Sequence, residues 1–358
     1  NPFTSLFIFW CFLSSFWSET PLLSLMFNLV MILFSCLAVN LAKKYSLRQL
    51  SGLIKWVLLI TGIISIIATL LGGISLPGSF GSIGAIDAGR GSFSNKLLAM
   101  ILAINAALWI ESAFSSHKYR WLRGMVGLIS AMATLFLSSV SNVFSAIMLC
   151  GLAILLGVLK RFTFKQSITI ICTYLIAMIP LTALINTYDD QIFAAFGRDP
   201  SLTGRAIIWP YVAAIVAQKP LGYGYGGYFQ DWRGYQDPSL ASPLLGVLRS
   251  AHNNFLECML NVGIIGLALY LLAFFSLLFL AVKYFYVAPS LQEPATPLLL
   301  LAGIIVCGLG ETTGIAGFYN PSIFWMFFIL IQVRLRLDLK KLDRQVPRNS
   351  KVLYGYLN

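Results

Sequence analysis

The sequence predicts an all-α fold: a polytopic bundle of transmembrane helices with one long, partly helical loop. Hydrophobic residues make up 58% of the 358 residues, charged residues make up only 11%, and the mean hydropathy is +0.82. Soluble domains carry about 25% charged residues. Apolar runs of about 20 residues recur, and each can span the hydrocarbon core as a helix. The sequence lacks the short alternating segments of a transmembrane β-barrel.

Ten apolar segments predict ten membrane spans. They cover residues 3–17, 21–42, 53–72, 97–113, 122–137, 143–159, 167–185, 254–282, 297–314 and 321–335. Because the chain begins at Asn1 rather than Met, we expect ten to be a lower bound on the number of spans.

The positions of Lys and Arg predict the orientation of these spans. Of the 25 basic residues, 18 fall in alternate loops and in the C-terminal tail. Short loops rich in Lys and Arg remain in the cytoplasm. The loops 73–96 and 186–253 therefore lie on the outer face. They carry the other seven basic residues, which bind either a ligand or lipid headgroups.

The spans and loops divide the chain into four predicted regions. Residues 1–185 hold seven transmembrane helices and the outer loop 73–96. Residues 186–253 form the long outer loop with an interfacial helix, residues 254–335 hold three more spans, and residues 336–358 form a basic cytoplasmic tail.

Charge and cysteine usage exclude two other classes of function. The net charge of +12 follows the predicted topology, so it does not indicate nucleic-acid binding. The six cysteines lie in or beside apolar segments without a CxxC pair, which predicts free thiols rather than disulfides or a metal site.

The outer loop 73–96 contains one candidate anion-binding residue. Arg90 lies between two glycines, shortly before the next span. A guanidinium can hydrogen-bond a phosphate or carboxylate through two parallel donors. Backbone amides at the start of the following helix, residues 94–96, would add to that affinity. An ordinary interfacial loop would have a similar composition.

The long loop 186–253 begins with a predicted helix. Thr203 is a candidate N-cap, and apolar residues then recur at helical spacing. Pro210 would kink this helix without abolishing it. Arg205 falls in the first turn, beside backbone N–H groups that have no partner within the helix.

Glycines and tyrosines alternate in the segment KPLGYGYGGYF, residues 219–229. Glycine lets the backbone approach a ligand closely, and Tyr223, Tyr225 and Tyr228 offer flat faces and hydroxyls that suit sugars. A nucleotide loop is excluded, because no strand precedes the segment and nucleotides are not found outside the membrane. An interfacial belt of aromatic residues is the alternative.

His252 opens the next span within the sequence SAHNN. A histidine titrates near neutral pH and can accept a proton from an alcohol. A helix N-terminus favours its neutral form, which is the form a base needs. Glu257 is five residues further on and not on the same helical face, so Asn253 or a backbone carbonyl is as able to orient the ring.

The outer loops contain one histidine, no DxD motif and seven basic residues. This combination favours a phosphate held by cations without a metal ion.

Three segments resemble the O-antigen ligase/polymerase superfamily. They are LTGRAIIW at 202–209, KPLGYGYGGYF at 219–229 and SAHNNFLECMLNVGIIGLALY at 250–270. The three together are fairly specific, whereas each alone is weak.

Three further segments are similar to family motifs. LSSFWSETP at 13–21 is similar to an early motif. GRGSFSNKLLAM at 89–100 has Ser94 where the family often has His, and SSVSNVFSAIM at 138–148 has Asn142 in place of a usual arginine. The resemblance therefore covers most of the chain in order.

The resemblance implies a metal-independent, inverting glycosyltransferase that needs no cofactor. It would take a glycan from undecaprenyl diphosphate on the periplasmic face of the bacterial inner membrane and pass it to a sugar hydroxyl. The acceptor is lipid A-core for a ligase, or a lipid-linked glycan for a polymerase. Family members have about a dozen spans, so about two would precede Asn1, and the C-terminus would be cytoplasmic.

The implied site combines both outer loops. Arg205 and Arg90 would bind the diphosphate, and His252 would deprotonate the acceptor. Tyr223, Tyr225, Tyr228, Arg249 and Asn253 are possible substrate-binding residues. The departures at Ser94 and Asn142 leave open whether Arg198, Arg233 or Arg249 completes the diphosphate site.

Two other functions remain as alternatives. A transporter of lipid-linked sugars would need polar residues deep in the membrane, but Glu111 and Glu311 lie near span ends and Asn105 is isolated. A structural scaffold would not need two outer loops with arginines. Between ligase and polymerase, the family's name and breadth favour ligase.

Overall fold

The computed structural model describes residues 1–70, 93–115, 119–136, 140–159, 166, 169, 205–228, 251, 253–288, 293–310 and 323–345. These residues form helices and turns without a β-strand. The helices are α1 Pro2–Leu13, α2 Pro21–Lys44, α3 Leu47–Leu70, α4 Phe93–Ser115, α5 Arg120–Phe136, α6 Val140–Leu159, α7 Arg205–Gln218, α8 Asn254–Val287, α9 Thr296–Gly310 and α10 Ile323–Gln345. The all-α prediction is therefore confirmed for the described part of the chain.

Nine of the ten predicted spans coincide with helices, and the predicted span 167–185 lies outside the described residues. Within the described part of the chain, four helices are long and apolar enough to cross a membrane: α2, residues 47–64 of α3, residues 98–115 of α4, and α8. Large apolar side chains point outward from α2 and α8, with Leu22 83% exposed and Phe279 63% exposed. This pattern is typical of helices that contact lipid.

Local sequence explains where several helices begin. Asn1 accepts a hydrogen bond from the backbone of Phe3, with Pro2 in the first turn of α1. Ser46 and Gln49 exchange hydrogen bonds at the start of α3, as in a capping box.

The last helix is longer than the sequence predicts. We expected the span to end at residue 335, but α10 continues to Gln345. Arg334 pairs with Asp338 one turn later and donates to the carbonyls of Ala42 and Tyr45. These bonds support the polar part of α10 and join it to the end of α2.

Helix α8 is central to the fold and is broken at Gly263. Gly263 has φ 72° and ψ −173°, which divides α8 into residues 254–262 and residues 264–287. The Asn254 side chain lies beside the Tyr270 hydroxyl, although 16 residues separate them. An unbroken helix would place them about 24 Å apart. The first segment therefore folds back toward the second.

A buried polar cluster joins α3, α4 and α9 at the far end of α8. Lys55 Nζ lies 2.9 and 2.8 Å from the two carboxylate oxygens of Glu293, and Ser51 and Ser112 donate to the same carboxylate. Burial acts to raise the pKa of Glu293, but the Lys55 ammonium and these hydrogen bonds outweigh it and hold the pKa below its ordinary value.

Glu111 completes this cluster. Its carboxylate accepts the backbone N–H groups of Ala295 and Thr296 at 2.9 and 3.0 Å, at the start of α9. A carboxylate at a helix N-terminus satisfies amides that have no partner within the helix. The role of Glu111 is therefore to fasten α9 to α4.

Candidate functional site

The glycine–tyrosine loop, residues 219–228, docks into the break in α8. The backbone N–H groups of Tyr223 and Gly224 donate to the carbonyls of Leu260 and Asn261, both at 2.9 Å. Ile264 N–H donates to the carbonyl of Pro220 at 3.0 Å. A broken helix leaves backbone groups unpaired, and buried groups of this kind must find partners. The loop supplies them.

Two glycines make this docking possible. A Cβ on Gly222, which has φ +75°, would lie 2.6 Å from both the Asn261 carbonyl oxygen and the Gly263 nitrogen. A Cβ on Gly263 would lie 2.2 Å from the Pro220 carbonyl oxygen. The close approach that these glycines allow is to the chain's own backbone.

The N-terminal segment 14–19 holds the other side of the loop. Ser14 Oγ accepts from Tyr225 N–H at 2.9 Å, and the Trp17 indole donates to the Leu221 carbonyl at 3.3 Å. Glu19 pairs with Lys219 at 2.8 Å. The segments 13–21, 219–229 and 250–270, which lie far apart in the sequence, therefore meet at one place.

Helix α7 packs on the first segment of α8. The predicted short helix is present and starts at Arg205, and its buried residues Val212, Ile215 and Val216 pack with Ala251 and Leu260. These three belong to the apolar stripe that helical spacing predicted.

The backbone on both sides of residue 252 is held by three helices. From α7, the Trp209 indole donates to the Ala251 carbonyl at 3.2 Å. From α8, Glu257 Oε2 accepts from Ala251 N–H at 2.7 Å. Asn253 caps α8 by accepting from two backbone N–H groups, and its amide nitrogen reaches the carbonyl of Leu309 in α9 at 3.4 Å.

Comparison with known proteins points to one family. The O-antigen ligase family model matches residues 125–271, a range that contains α7, the glycine–tyrosine loop and the first segment of α8. The exopolysaccharide production protein ExoQ of Rhizobium meliloti is 26% identical over 278 residues, which is 73% of this chain and 60% of the relative. Both findings support a relationship of this chain to the O-antigen ligase/polymerase superfamily. It spans about 60% of the length of the curated relative that it matches.

The three predicted tyrosines occupy different environments. Tyr225 is only 3% exposed and belongs to the core. Tyr223 and Tyr228 are half-buried and contact each other edge to face at 4.8 Å. Lys219 Nζ lies 4.4 Å from the centre of the Tyr223 ring, so a residue counted among the outer basic residues stabilises the loop itself.

Several predicted site residues lie outside the described residues. They are His252, Arg90, Arg249, Arg198 and Arg233. Arg205 opens α7, but its side chain is also outside the described part. The structure brings Tyr223, Tyr225, Tyr228 and Asn253 to one end of α8.

Glu257 was missed by sequence reasoning as a neighbour of this site. Helix geometry placed it away from residue 252, yet its carboxylate turns back to the N–H of Ala251, in front of the helix. The available signal was an acidic residue in the first turn after an Asn cap, a position where carboxylates bind free amides.

Proposed function

We propose that this chain is a metal-independent, inverting glycosyltransferase. It transfers a glycan from undecaprenyl diphosphate to a sugar hydroxyl on the periplasmic face of the inner membrane, with lipid A-core as the acceptor. The observation that carries the proposal is that segments 13–21, 219–229 and 250–270, which resemble motifs of the superfamily, meet at the break in α8.

In the proposed reaction, His252 removes the proton from the acceptor hydroxyl. The acceptor oxygen then forms a bond to the anomeric carbon on the face opposite the leaving group. The bond from that carbon to the diphosphate oxygen breaks, and the diphosphate leaves with the electron pair. Arg205 and Arg90 bind the diphosphate and stabilise its developing charge.

The remaining candidates bind substrate. Tyr223 and Tyr228 are half-buried and can contact a glycan, whereas the core position of Tyr225 suits support of the loop. Asn253 and Arg249 flank the base in sequence and can contact the acceptor.

The proposed topology has ten spans in this chain, with the loops 73–96 and 186–253 periplasmic and the C-terminus cytoplasmic. Lys55 lies in the polar cluster at one end of α8, and Arg123 donates to Ser112 in the same cluster. The glycine–tyrosine loop lies at the break, separated from that cluster by the second segment of α8, roughly 36 Å of helix. The positions of Lys55 and Arg123 at the opposite end of α8 from the loop support the orientation.

A polymerase is the second candidate. The relative's name refers to exopolysaccharide production, whereas the family model's description refers to O-antigen ligation. Purified protein supplied with the donor and either acceptor separates the two: a ladder of product lengths indicates a polymerase, and a single addition to lipid A-core indicates a ligase.

A transporter receives less support. The buried Asn105 donates to Ser130 on the adjacent α5, and Glu111 caps α9. These described polar residues of α4 serve helix packing, so they do not outline a path across the membrane.

Two variants test the proposed chemistry. His252→Ala and Arg205→Ala should abolish transfer while the protein still inserts at wild-type levels. Wild-type-like product from either variant contradicts the mechanism. Activity that disappears in EDTA and returns with Mg²⁺ or Mn²⁺ would also contradict it.

A further inference from the structure

Glu257 is a buried residue whose side chain holds the backbone in front of its own helix. The residue is 0% exposed, and Oε2 accepts from Ala251 N–H at 2.7 Å. The side chain of Asn261, one turn later on α8, lies beside the same carboxyl group. An apolar side chain of similar volume would fill this space without burying a polar group, so the bond to Ala251 is what a glutamate adds at this position.

The surroundings of Glu257 are also polar. Asn254 lies one turn earlier on the same face of α8, and Tyr270 lies beside Asn254. Asn254 and Glu257 are both buried, so buried polar side chains follow each other along this face of α8.

The Ala251 bond is distinct from the other contacts near residue 252. The Asn253 cap fixes the chain on the helical side, and Trp209 holds only the carbonyl of Ala251. The Glu257 bond joins Ala251, the residue before position 252, to the helix that begins at residue 254.

We propose that Glu257 is a positioning residue for glycan transfer, which holds the backbone of Ala251 so that His252 meets the acceptor hydroxyl. The inference rests on the proposed function. A shift of about 1 Å at a reacting group can cost roughly 100-fold in rate. Loss of the Glu257 bond should therefore reduce turnover and leave donor binding unchanged.

Two substitutions separate positioning from charge. In Glu257→Gln, the amide oxygen still accepts from Ala251 N–H, so turnover should stay within about threefold of wild type. In Glu257→Leu the acceptor is lost, so turnover at saturating donor should fall about 100-fold while KM for the donor changes less than about threefold. All rates are normalised to folded protein by size-exclusion chromatography.

Glu111→Leu is the matched control. Glu111 is an equally buried carboxylate that accepts backbone N–H groups at a helix start, but in the distant polar cluster. This variant should lose stability and keep its turnover per folded molecule. If Glu257→Leu does not accumulate, Glu257→Asp replaces it, because Asp is one methylene too short to reach Ala251, and the same loss of turnover is expected.

The outcomes are distinct. Wild-type turnover in Glu257→Leu, equal losses in the Gln and Leu variants, or a loss confined to KM would each overturn the positioning role. Transfer by the wild-type protein that is absent in His252→Ala supports the proposed function whatever the Glu257 variants do.

Discussion

Gly263→Ala is the substitution that should most clearly disturb the assembly of the site. Gly263 has φ 72° and ψ −173°, a region of backbone space that is almost restricted to glycine. The new Cβ would lie 2.2 Å from the Pro220 carbonyl oxygen and 2.5 Å from the Leu221 carbonyl carbon. These are backbone atoms, so they cannot move aside as a flexible side chain can.

The size of the effect follows from these contacts. A non-glycine residue in this conformation costs about 1–3 kcal/mol. Relief of the clash requires the glycine–tyrosine loop to leave the break, which gives up three backbone hydrogen bonds worth about 1 kcal/mol each. The expected loss of stability is therefore about 4–6 kcal/mol, with loss of transfer activity in the protein that remains folded.

Thermal unfolding of the purified protein in detergent, together with the transfer assay, measures both effects. Gly52→Ala is the control: Gly52 lies inside α3, and a Cβ there meets no atom within 4 Å. Alanine should stabilise that helix by about 0.5–1 kcal/mol. If Gly263→Ala unfolds at the wild-type temperature, or if Gly52→Ala is equally damaging, the docking argument is refuted.

Three further predictions concern the polar cluster around Glu293 and the proposed topology. Lys55→Met should destabilise the fold by about 3–5 kcal/mol because it leaves the Glu293 carboxylate buried and unpaired, and adding Glu293→Gln should restore most of the loss in a double-mutant cycle. Folding lowers the pKa of Glu293, so ionised Glu293 adds to the free energy of unfolding above its ordinary value of 4.5, and this gain disappears as the pH falls through the folded pKa. The Glu293→Gln variant should therefore lose this part of the acid dependence of the free energy of unfolding. A pH dependence equal to that of the wild type would contradict the assignment. Alkaline phosphatase fused after Gly226 should be active and fused after Lys341 inactive, and the reverse pattern would invert the topology.

Much of the fold could be predicted from the sequence. Long apolar runs and flanking charges predicted nine helices close to their observed positions. The apolar stripe of α7 predicted which face of that helix is buried. These features are local, because hydrophobic period and charge act within one helix. The extension of α10 to Gln345 was missed because it depends on Arg334 reaching α2 across 292 residues.

The internal arrangement of the site could not be predicted in the same way. The sequence around Gly263 reads as one continuous apolar helix, so the break is visible only through the loop 219–228 that docks on it. The glycines of that loop were interpreted as ligand contacts, whereas Gly222 meets the α8 backbone. Glu257 was set aside on helix geometry, because its bond to Ala251 lies outside the helix.

The most direct test of the central claim follows both products of the reaction. Purified protein in vesicles is supplied with undecaprenyl-diphosphate-linked glycan and a sugar acceptor, in EDTA. Release of undecaprenyl diphosphate in equal amount to a new glycosidic bond, absent in His252→Ala, is the predicted result. Movement of the intact lipid-linked glycan across the vesicle membrane, without cleavage of the bond to the diphosphate, would contradict it.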